Sequence, residues 1–187
     1  TTPGRASMPA AAAEPYQPQP IPAAEVNVAD ATIGLTPTQG PVGTETRLTA
    51  TGFPKGASLD LVWQTSVGNR VDGDGFASQE NILTRVTVGP DGVLDVPLSI
   101  PDDVGGLHGV ALRDGDSTLA RTHFVIETSI VGMTPTSGPA GTPVTIHLKG
   151  VGWTEYDNIY VATYDNAYMG YACGFNSQGD VVINFTA

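Results

Sequence analysis

The sequence has few of the residues that cross-link a protein or place it in a membrane. Cys173 is its only cysteine, so no disulfide can form within the chain. Aromatic residues make up only 7% and charged residues only 14% of the 187 residues. No apolar run approaches the ~20 residues of a membrane-spanning helix, and no segment has the apolar period and caps of an amphipathic helix. We therefore expect an all-β chain without a membrane span.

Basic residues are also scarce. Eight Lys and Arg stand against 19 Asp and Glu, which gives a formal net charge of −11. Such a surface repels nucleic acid and anionic membranes, so neither is expected as a partner. The acidic composition contains only two lysines, Lys55 and Lys149, and the chain starts at Thr1 as a processed mature protein would. Both features favour a secreted or cell-surface location.

Motifs of the common catalytic centres are missing too. There is no Gly-x-Ser-x-Gly, no His-Glu-x-x-His and no glycine-rich phosphate loop ending in Lys-Ser or Lys-Thr. The histidines lie far apart in sequence, and His123 and His147 are expected in strands rather than in a metal site. With no nucleophile, base and orienting group in a recognisable pattern, the sequence does not predict an enzyme.

Glycine and proline are abundant, at 23 and 15 residues. Between them, short runs of Val, Ile and Thr alternate with polar residues, which is typical of strands separated by turns. Residues 1–30 differ, because they are rich in proline and include the alanine run Ala10–Ala13. This composition predicts an extended tail. The tail is either a spacer or a segment that docks on a neighbouring surface.

An internal repeat is the most informative feature of the sequence. Residues 33–44, IGLTPTQGPVGT, recur as residues 131–142, VGMTPTSGPAGT, an offset of 98 residues. Each copy continues into an alternating strand and then a Gly-aromatic pair, Gly52-Phe53 and Gly152-Trp153. A repeat near this length matches one β-sandwich domain.

Further strands are expected in the first copy, with turns rich in Gly, Pro and Asp between them. Together with the opening strands they number about seven, as in an immunoglobulin-like sandwich. The additional candidates are residues 59–65, 82–88, 93–100, 109–113 and 119–127.

The repeated motif carries a family resemblance. Thr-Pro-Thr-x-Gly-Pro-x-Gly-Thr, followed by a strand and Gly-Phe, resembles the start of IPT/TIG-type immunoglobulin-like domains and their bacterial and archaeal surface relatives. Residues 89–101, GPDGVLDVPLSIP, resemble the middle of the same modules. The resemblance covers roughly residues 31–187. It implies tandem immunoglobulin-like β-sandwiches with structural, adhesive or accessory roles and no catalytic residues.

The chain is accordingly divided into a tail at 1–30, a first module at 31–127 and a second module at 128–187. Aligned on the first module, the second is expected to lack its last two strands. A core face and a sheet edge would then be exposed. Three explanations are open: a longer chain, a shorter variant of the module, or strands supplied by a neighbouring chain.

Two small features are candidate sites. Asp72 and Asp74 lie in an Asp-Gly-Asp-Gly turn that can begin a calcium loop, although the remaining ligand positions of such a loop are missing. The alternative is a solvated turn without metal. Cys173 lies in an aromatic run and is expected as a small buried apolar residue, with a free reactive thiol as the alternative.

The second module is rich in Tyr, Asp and Asn. Tyrosine rings stack on sugars while Asp and Asn bind hydroxyl groups, so a carbohydrate-binding or protein-binding face is one interpretation. Cross-strand aromatic packing is the other. The candidate ligand-binding residues are Tyr156, Tyr160, Tyr164, Tyr168, Asp165 and Asn166.

These features together predict a non-catalytic, extracellular structural or adhesive module of a cell-surface or filamentous assembly. It would contact other protein chains, including copies of itself, through the N-terminal tail and the open edge of the second module. The alternative is a carbohydrate-binding or accessory region of a larger secreted protein or enzyme.

Overall fold

A computed structural model describes residues 20–68, 75–152, 159–164, 166–173 and 179–187. The regular structure of these residues consists of strands, as the alternating sequence pattern predicted, and none of their segments forms a helix that could span a membrane. In chain order the strands are β1 (Glu25–Val26), β2 (Thr32–Thr36), β3 (Gln39–Gly40), β4 (Glu45–Thr51), β5 (Ser58–Gly68), β6 (Phe76–Thr87), β7 (Val93–Ser99), β8 (Gly106–Asp114), β9 (Ser117–Ile126), β10 (Ser129–Thr134), β11 (Pro143–Lys149), β12 (Ile159–Tyr164), β13 (Ala167–Cys173) and β14 (Val181–Thr186).

The first nine strands form two sheets packed face to face in the manner of a β-sandwich. One sheet has the order β2-β4-β7, and the other has the order β1-β9-β8-β5-β6 with β3 beside β9. Alternate residues of each strand point between the sheets because strand side chains have a period of two. In β4 these are Thr46, Leu48 and Ala50. Leu48 and Ala50 join one large apolar core that also contains Trp63 and Phe124.

The remaining strands form a smaller pair of sheets. The sheet β10-β11-β14 faces the hairpin β12-β13. Between them lies a separate apolar cluster of Leu148, Val151, Val181 and Ile183, with Tyr160 and other partly buried residues packed against it.

The two copies of the repeat share their Thr-Pro bond and the turn that follows it. Both Thr-Pro bonds, Thr36-Pro37 and Thr134-Pro135, are cis. In each following turn a threonine hydroxyl donates a hydrogen bond to the carbonyl three residues earlier: Thr44 to the Pro41 oxygen and Thr142 to the Pro139 oxygen, both at 2.6 Å. The sequence pattern that the two copies share therefore corresponds to one recurring local structure.

Strands β5, β6 and β8 are all clearly longer than the sequence predicted, and for β8 the predicted 109–113 becomes Gly106–Asp114. The prediction of 59–65 becomes Ser58–Gly68, and that of 82–88 becomes Phe76–Thr87. The residues added to β5 and β6 pair with one another at the far end of the β5-β6 hairpin, where Gly68 lies opposite Phe76. They are mostly polar and exposed, so they lack the apolar alternation by which a strand is recognised.

The final residues of the predicted tail belong to the first sandwich. Glu25 and Val26 pair with Arg121 and Ala120 of β9, and the Asn27 amide donates to the Leu119 carbonyl at 2.8 Å. No proline lies between Pro22 and Val26. Both residues of β1 therefore have the backbone N–H group that pairing with β9 requires. Residues 1–19 lie outside the described residues.

Candidate functional site

Several residues predicted as sites lie outside the described part of the chain. They are the calcium candidates Asp72 and Asp74 and the ligand-binding candidates Tyr156 and Asp165. Cys173 ends β13, and its side chain is likewise outside the described part. Within residues 20–68, 75–152 and the shorter described segments that follow, no group of three or more His, Cys, Asp or Glu is placed to hold a metal ion.

The hairpin β12-β13 places two tyrosines on one exposed face. Tyr171 lies opposite Val161, and Tyr168 lies opposite Thr163. A register shift inserts Met169 as an extra residue between them, so two tyrosines three positions apart point the same way. Tyr168 is 62% and Tyr171 is 63% exposed. Val161, Thr163, Tyr168 and Tyr171 are called the tyrosine face below.

The opposite face of the hairpin packs on the smaller core. Tyr160 and Ala162 contact the cluster around Leu148, and the Gly152 amide donates to the Tyr160 hydroxyl at 3.4 Å. Gly170 leans on β14, since an added Cβ there would be 3.4 Å from the Asn184 carbonyl oxygen. This contact holds the hairpin against the sheet and fixes which side faces outward.

The structure therefore divides the predicted tyrosines into two groups. Tyr168 is on the tyrosine face, together with Tyr171, which was not among the predicted ligand-binding residues. Tyr160 points to the core instead, and alternation along β12 puts Tyr164 on the same side as Tyr160, at the exposed end of the hairpin. Asn166 forms the turn with φ at 61°. The extra residue in β13 that causes this division has no recognisable signal in the sequence.

The sheet β10-β11-β14 carries exposed apolar residues on its inward side. Ile130 lies opposite Leu148, and Met133 lies opposite Ile146. Although Leu148 is buried, Ile130 is 66% and Met133 is 44% exposed. The sequence predicted an exposed core face in this module, but its residues were not specified. Ile130 and Met133 on β10 are called the open side below.

A polar groove of about 290 Å³ lies on the outer face of the larger sheet. Gly109 forms its floor and leaves space for Gln64, whose amide donates to Glu80 at 2.6 Å. Glu80 also pairs with Arg113 at 2.8 Å. At the rim, burial and then the neighbouring Arg121 lower the pKa of His123. Gln64 and Glu80 satisfy each other, whereas the Thr65 hydroxyl and the His123 Nδ1 are buried without a hydrogen-bond partner among the described residues.

One buried titratable cluster lies near the centre of the first sandwich. The Trp63 indole stacks on the His108 ring with centroids 4.6 Å apart, and its N–H donates to Asp103 at 2.8 Å. The two ring nitrogens of His108 face carbonyl oxygens of Gln64 at 3.0 Å and Val104 at 2.9 Å.

The Asp103 carboxylate lies beside this ring, with 4.0 Å between its Oδ2 and the His108 Nδ1. Both nitrogens of His108 are thus used inside the fold, and the ring is 1% exposed. His108 has neither the free nitrogen nor the access that a general base needs. The cluster is a structural element of the core.

Comparisons with known proteins add little to this description. No protein-family model matches the chain, and no curated protein matches it. Among solved structures, macromomycin is similar at 12% identity and a TM-score of 0.24, covering 83% of this chain and 97% of its own. The sporulation control protein Spo0M of Bacillus subtilis has 10% identity and a TM-score of 0.34, with 89% and 91% covered. The D0-D1 domain of intimin has 16% identity and a TM-score of 0.30, with 86% and 85% covered. Similarities this low establish neither a shared family nor a shared function, and the chain stands as an all-β, β-sandwich-like protein.

Proposed function

We propose that this chain is a non-catalytic structural or adhesive module of an extracellular assembly, in which the open side binds a β-strand of another protein chain. In this proposal residues 31–127 and 128–187 are tandem immunoglobulin-like modules, and the second is completed from outside. The acidic, lysine-poor composition supports a secreted or cell-surface location. The observation that carries the proposal is the exposure of apolar residues whose counterparts in the first sandwich are buried.

The internal repeat provides the comparison. Strand pairing sets the equivalence: Ile33 and Leu35 pair with Ala50 and Leu48 of β4, and Ile130 and Met133 pair with the equivalent Leu148 and Ile146 of β11. A register shift makes Val131, which the repeat aligns with Ile33, an extra residue of β10. Ile33 is 8% and Leu35 is 5% exposed, against 66% for Ile130 and 44% for Met133. In the first sandwich, β2 is covered by β9. The described residues of the second sandwich supply no strand in that place.

Backbone groups support the same interpretation. Gln39 and Gly40 pair in parallel with β9, and the Glu127 amide donates to the Gly40 carbonyl at 2.9 Å. The equivalent residues of the second copy, Ser137 and Gly138, belong to no strand in the part of the chain that is described. An incoming strand that lay parallel to Ser137 and Gly138 would find both hydrogen-bonding groups and an apolar surface, which is the pattern of β-augmentation.

The second edge of β12 is a third difference between the two sandwiches. Strand β5 pairs with β6 on one side and with β8 on the other. Its counterpart β12 pairs with β13 alone among the described strands. Covering Ile130 and Met133 would remove apolar surface from water, which contributes about 1.5–3 kcal/mol for each fully buried side chain. The open side is therefore an acceptor with both a geometric and an energetic preference for a strand.

A peptide with the sequence of β9, Ser117–Ile126, provides a direct test, because β9 covers the equivalent face of the first sandwich. Fluorescence anisotropy with the labelled peptide should show saturable binding to the whole chain. Met133→Asp should weaken this binding about tenfold or more, since a carboxylate would lose solvation against the apolar strand. Because Met133 is exposed, the same substitution should change the free energy of unfolding by no more than about 0.5 kcal/mol.

Val182→Asp is the matched control. Val182 is an exposed apolar residue of the same sheet, 46% exposed, but it lies beside His147 on the outward side. Its substitution should leave peptide binding unchanged. Sedimentation velocity of the wild-type and Met133→Asp chains would show whether a second copy fills the open side. A wild-type chain that neither binds the peptide nor self-associates, or a Val182→Asp chain that loses binding equally, would contradict the proposal.

A further inference from the structure

We propose that the tyrosine face of the hairpin β12-β13 is a binding platform for a neutral oligosaccharide. This inference goes beyond the proposed function and uses a different surface. The tyrosine face points away from the small core, whereas the open side is part of the inward surface of the facing sheet. Each proposal can therefore fail without the other.

The spacing of the two rings suits consecutive sugar units. The cross-strand partners of Tyr171 and Tyr168 are Val161 and Thr163, two residues apart on β12. Two residues along a strand span about 7 Å, so the two tyrosines follow one another along the same face of the hairpin. Neighbouring pyranose rings of an extended oligosaccharide can then stack on neighbouring tyrosines.

The chemistry of the surface matches a sugar as well. Each tyrosine offers an apolar ring face to the C–H side of a pyranose and a hydroxyl that both donates and accepts hydrogen bonds. Thr163 adds a second type of hydroxyl beside Tyr168, and Val161 adds apolar surface beside Tyr171. None of the four residues is an Asp, Glu, Lys or Arg. The formal net charge of −11 disfavours acidic polysaccharides and leaves neutral ones as the complementary class.

The size of the tyrosine face favours a small ligand over a protein. Tyr168 and Tyr171 are each about three-fifths exposed and Val161 is 53% exposed, which gives an accessible patch on the order of 300 Å² for side chains of this size. A stable protein partner buries about 800 Å² on each side. An oligosaccharide of a few units covers the smaller area.

The platform is held from behind. Ala162 and Tyr160 pack into the cluster of Leu148, Val181 and Ile183, and the Tyr160 hydroxyl accepts from the Gly152 amide. Fixing the strands in this way keeps the two exposed rings in one orientation before a ligand arrives. Less conformational freedom is then lost on binding.

The experiment titrates the whole chain, with isotope-labelled tyrosine, against two neutral β-linked hexasaccharides, cellohexaose and chitohexaose, and follows the tyrosine ring resonances by NMR. The resonances of Tyr168 and Tyr171 should shift with at least one of them. Tyr168→Ala and Tyr171→Ala should each weaken binding about tenfold, as expected for loss of one stacked aromatic ring. An oligogalacturonate of the same length should bind more weakly than the neutral sugar.

Tyr164→Ala is the matched control, because Tyr164 lies on the same hairpin, is 71% exposed and is on the other side. Its removal should leave the affinity within about twofold of the wild-type value. The proposal is overturned if neither neutral hexasaccharide shifts the two rings at millimolar concentration, if Tyr164→Ala weakens binding equally, or if a protein partner rather than a glycan protects Tyr168 and Tyr171. The Met133→Asp chain should bind the sugar like the wild type, which separates this result from the test of the open side.

Discussion

Replacing Trp63 with alanine is expected to lower the free energy of unfolding by about 4 kcal/mol, the largest loss of any single substitution in the described core. Trp63 is 1% exposed and lies at the centre of the larger apolar cluster. Its removal would leave a large cavity between two sheets whose backbones are fixed by hydrogen bonds on both sides. The surrounding strands can collapse into that space only in part.

The loss is increased by the polar groups around the indole. The Trp63 N–H donates to Asp103 Oδ2, while the other oxygen of Asp103 accepts from the Val104 amide at 2.8 Å. Without the indole, a carboxylate that is 7% exposed would keep only one of these donors. A buried acceptor left unsatisfied costs about 1–3 kcal/mol. His108 would also lose its stacking partner.

Trp63→Phe separates these contributions. Phenylalanine keeps an aromatic ring next to His108 but cannot donate to Asp103, so it should cost about 1.5–3 kcal/mol, the range for a hydrogen bond to a charged group. Urea unfolding followed by circular dichroism measures both variants. If Trp63→Ala and Trp63→Phe were equally mild, Asp103 would have found another donor and this account of the cluster would be wrong.

Much of the strand pattern could be predicted from the sequence because alternation and turn residues are local signals. In β4 and β7 the inward residues Leu48, Leu94 and Leu98 follow the pattern of the sequence directly. The repeat gave the same information for β11 and β14, since the second copy aligns with the first. His123 and His147 lie in strands, as predicted.

The candidate functional surfaces were harder to predict from the sequence than the strands were. The division of the tyrosines depends on one extra residue, Met169, and a register shift of this kind depends on the partner strand. The cluster of Trp63, Asp103 and His108 joins residues up to 45 positions apart through pairing of β5 with β8. Neither arrangement leaves a local pattern that could be recognised from sequence alone.

A close backbone contact joins the two sandwiches, and it too was absent from the sequence prediction. The Gly105 amide donates to the Val151 carbonyl at 2.8 Å, and the Val151 amide donates to the Gly179 carbonyl at 3.0 Å. Gly105 also forms a bridge with Gly152. Val104 and Val151 are buried at this junction, and Lys149 pairs with Asp102 and Asp180 at its rim. The backbones approach this closely only because glycine has no side chain.

Gly105→Ala should therefore disrupt the junction. A Cβ at Gly105 would be 2.0 Å from the Gly150 carbonyl oxygen and 2.9 Å from the Gly152 amide nitrogen, and backbone atoms cannot turn aside as a flexible side chain can. We expect a loss of about 2–3 kcal/mol, the upper part of the range for overpacking. The loss should fall on coupling between the sandwiches, because the strands within each sandwich are untouched.

Calorimetry and hydrogen exchange test this expectation. The Gly105→Ala chain should unfold in two separated steps, the smaller core first, and the amide of residue 105 should exchange much faster than in the wild type, since its acceptor, the Val151 carbonyl, moves away. Gly34→Ala is the control: an added Cβ at Gly34 would meet nothing within 4 Å, and its φ is not positive. That variant should unfold like the wild type. A Gly105→Ala chain that kept a single transition and slow exchange at the amide of residue 105 would contradict this account of the junction.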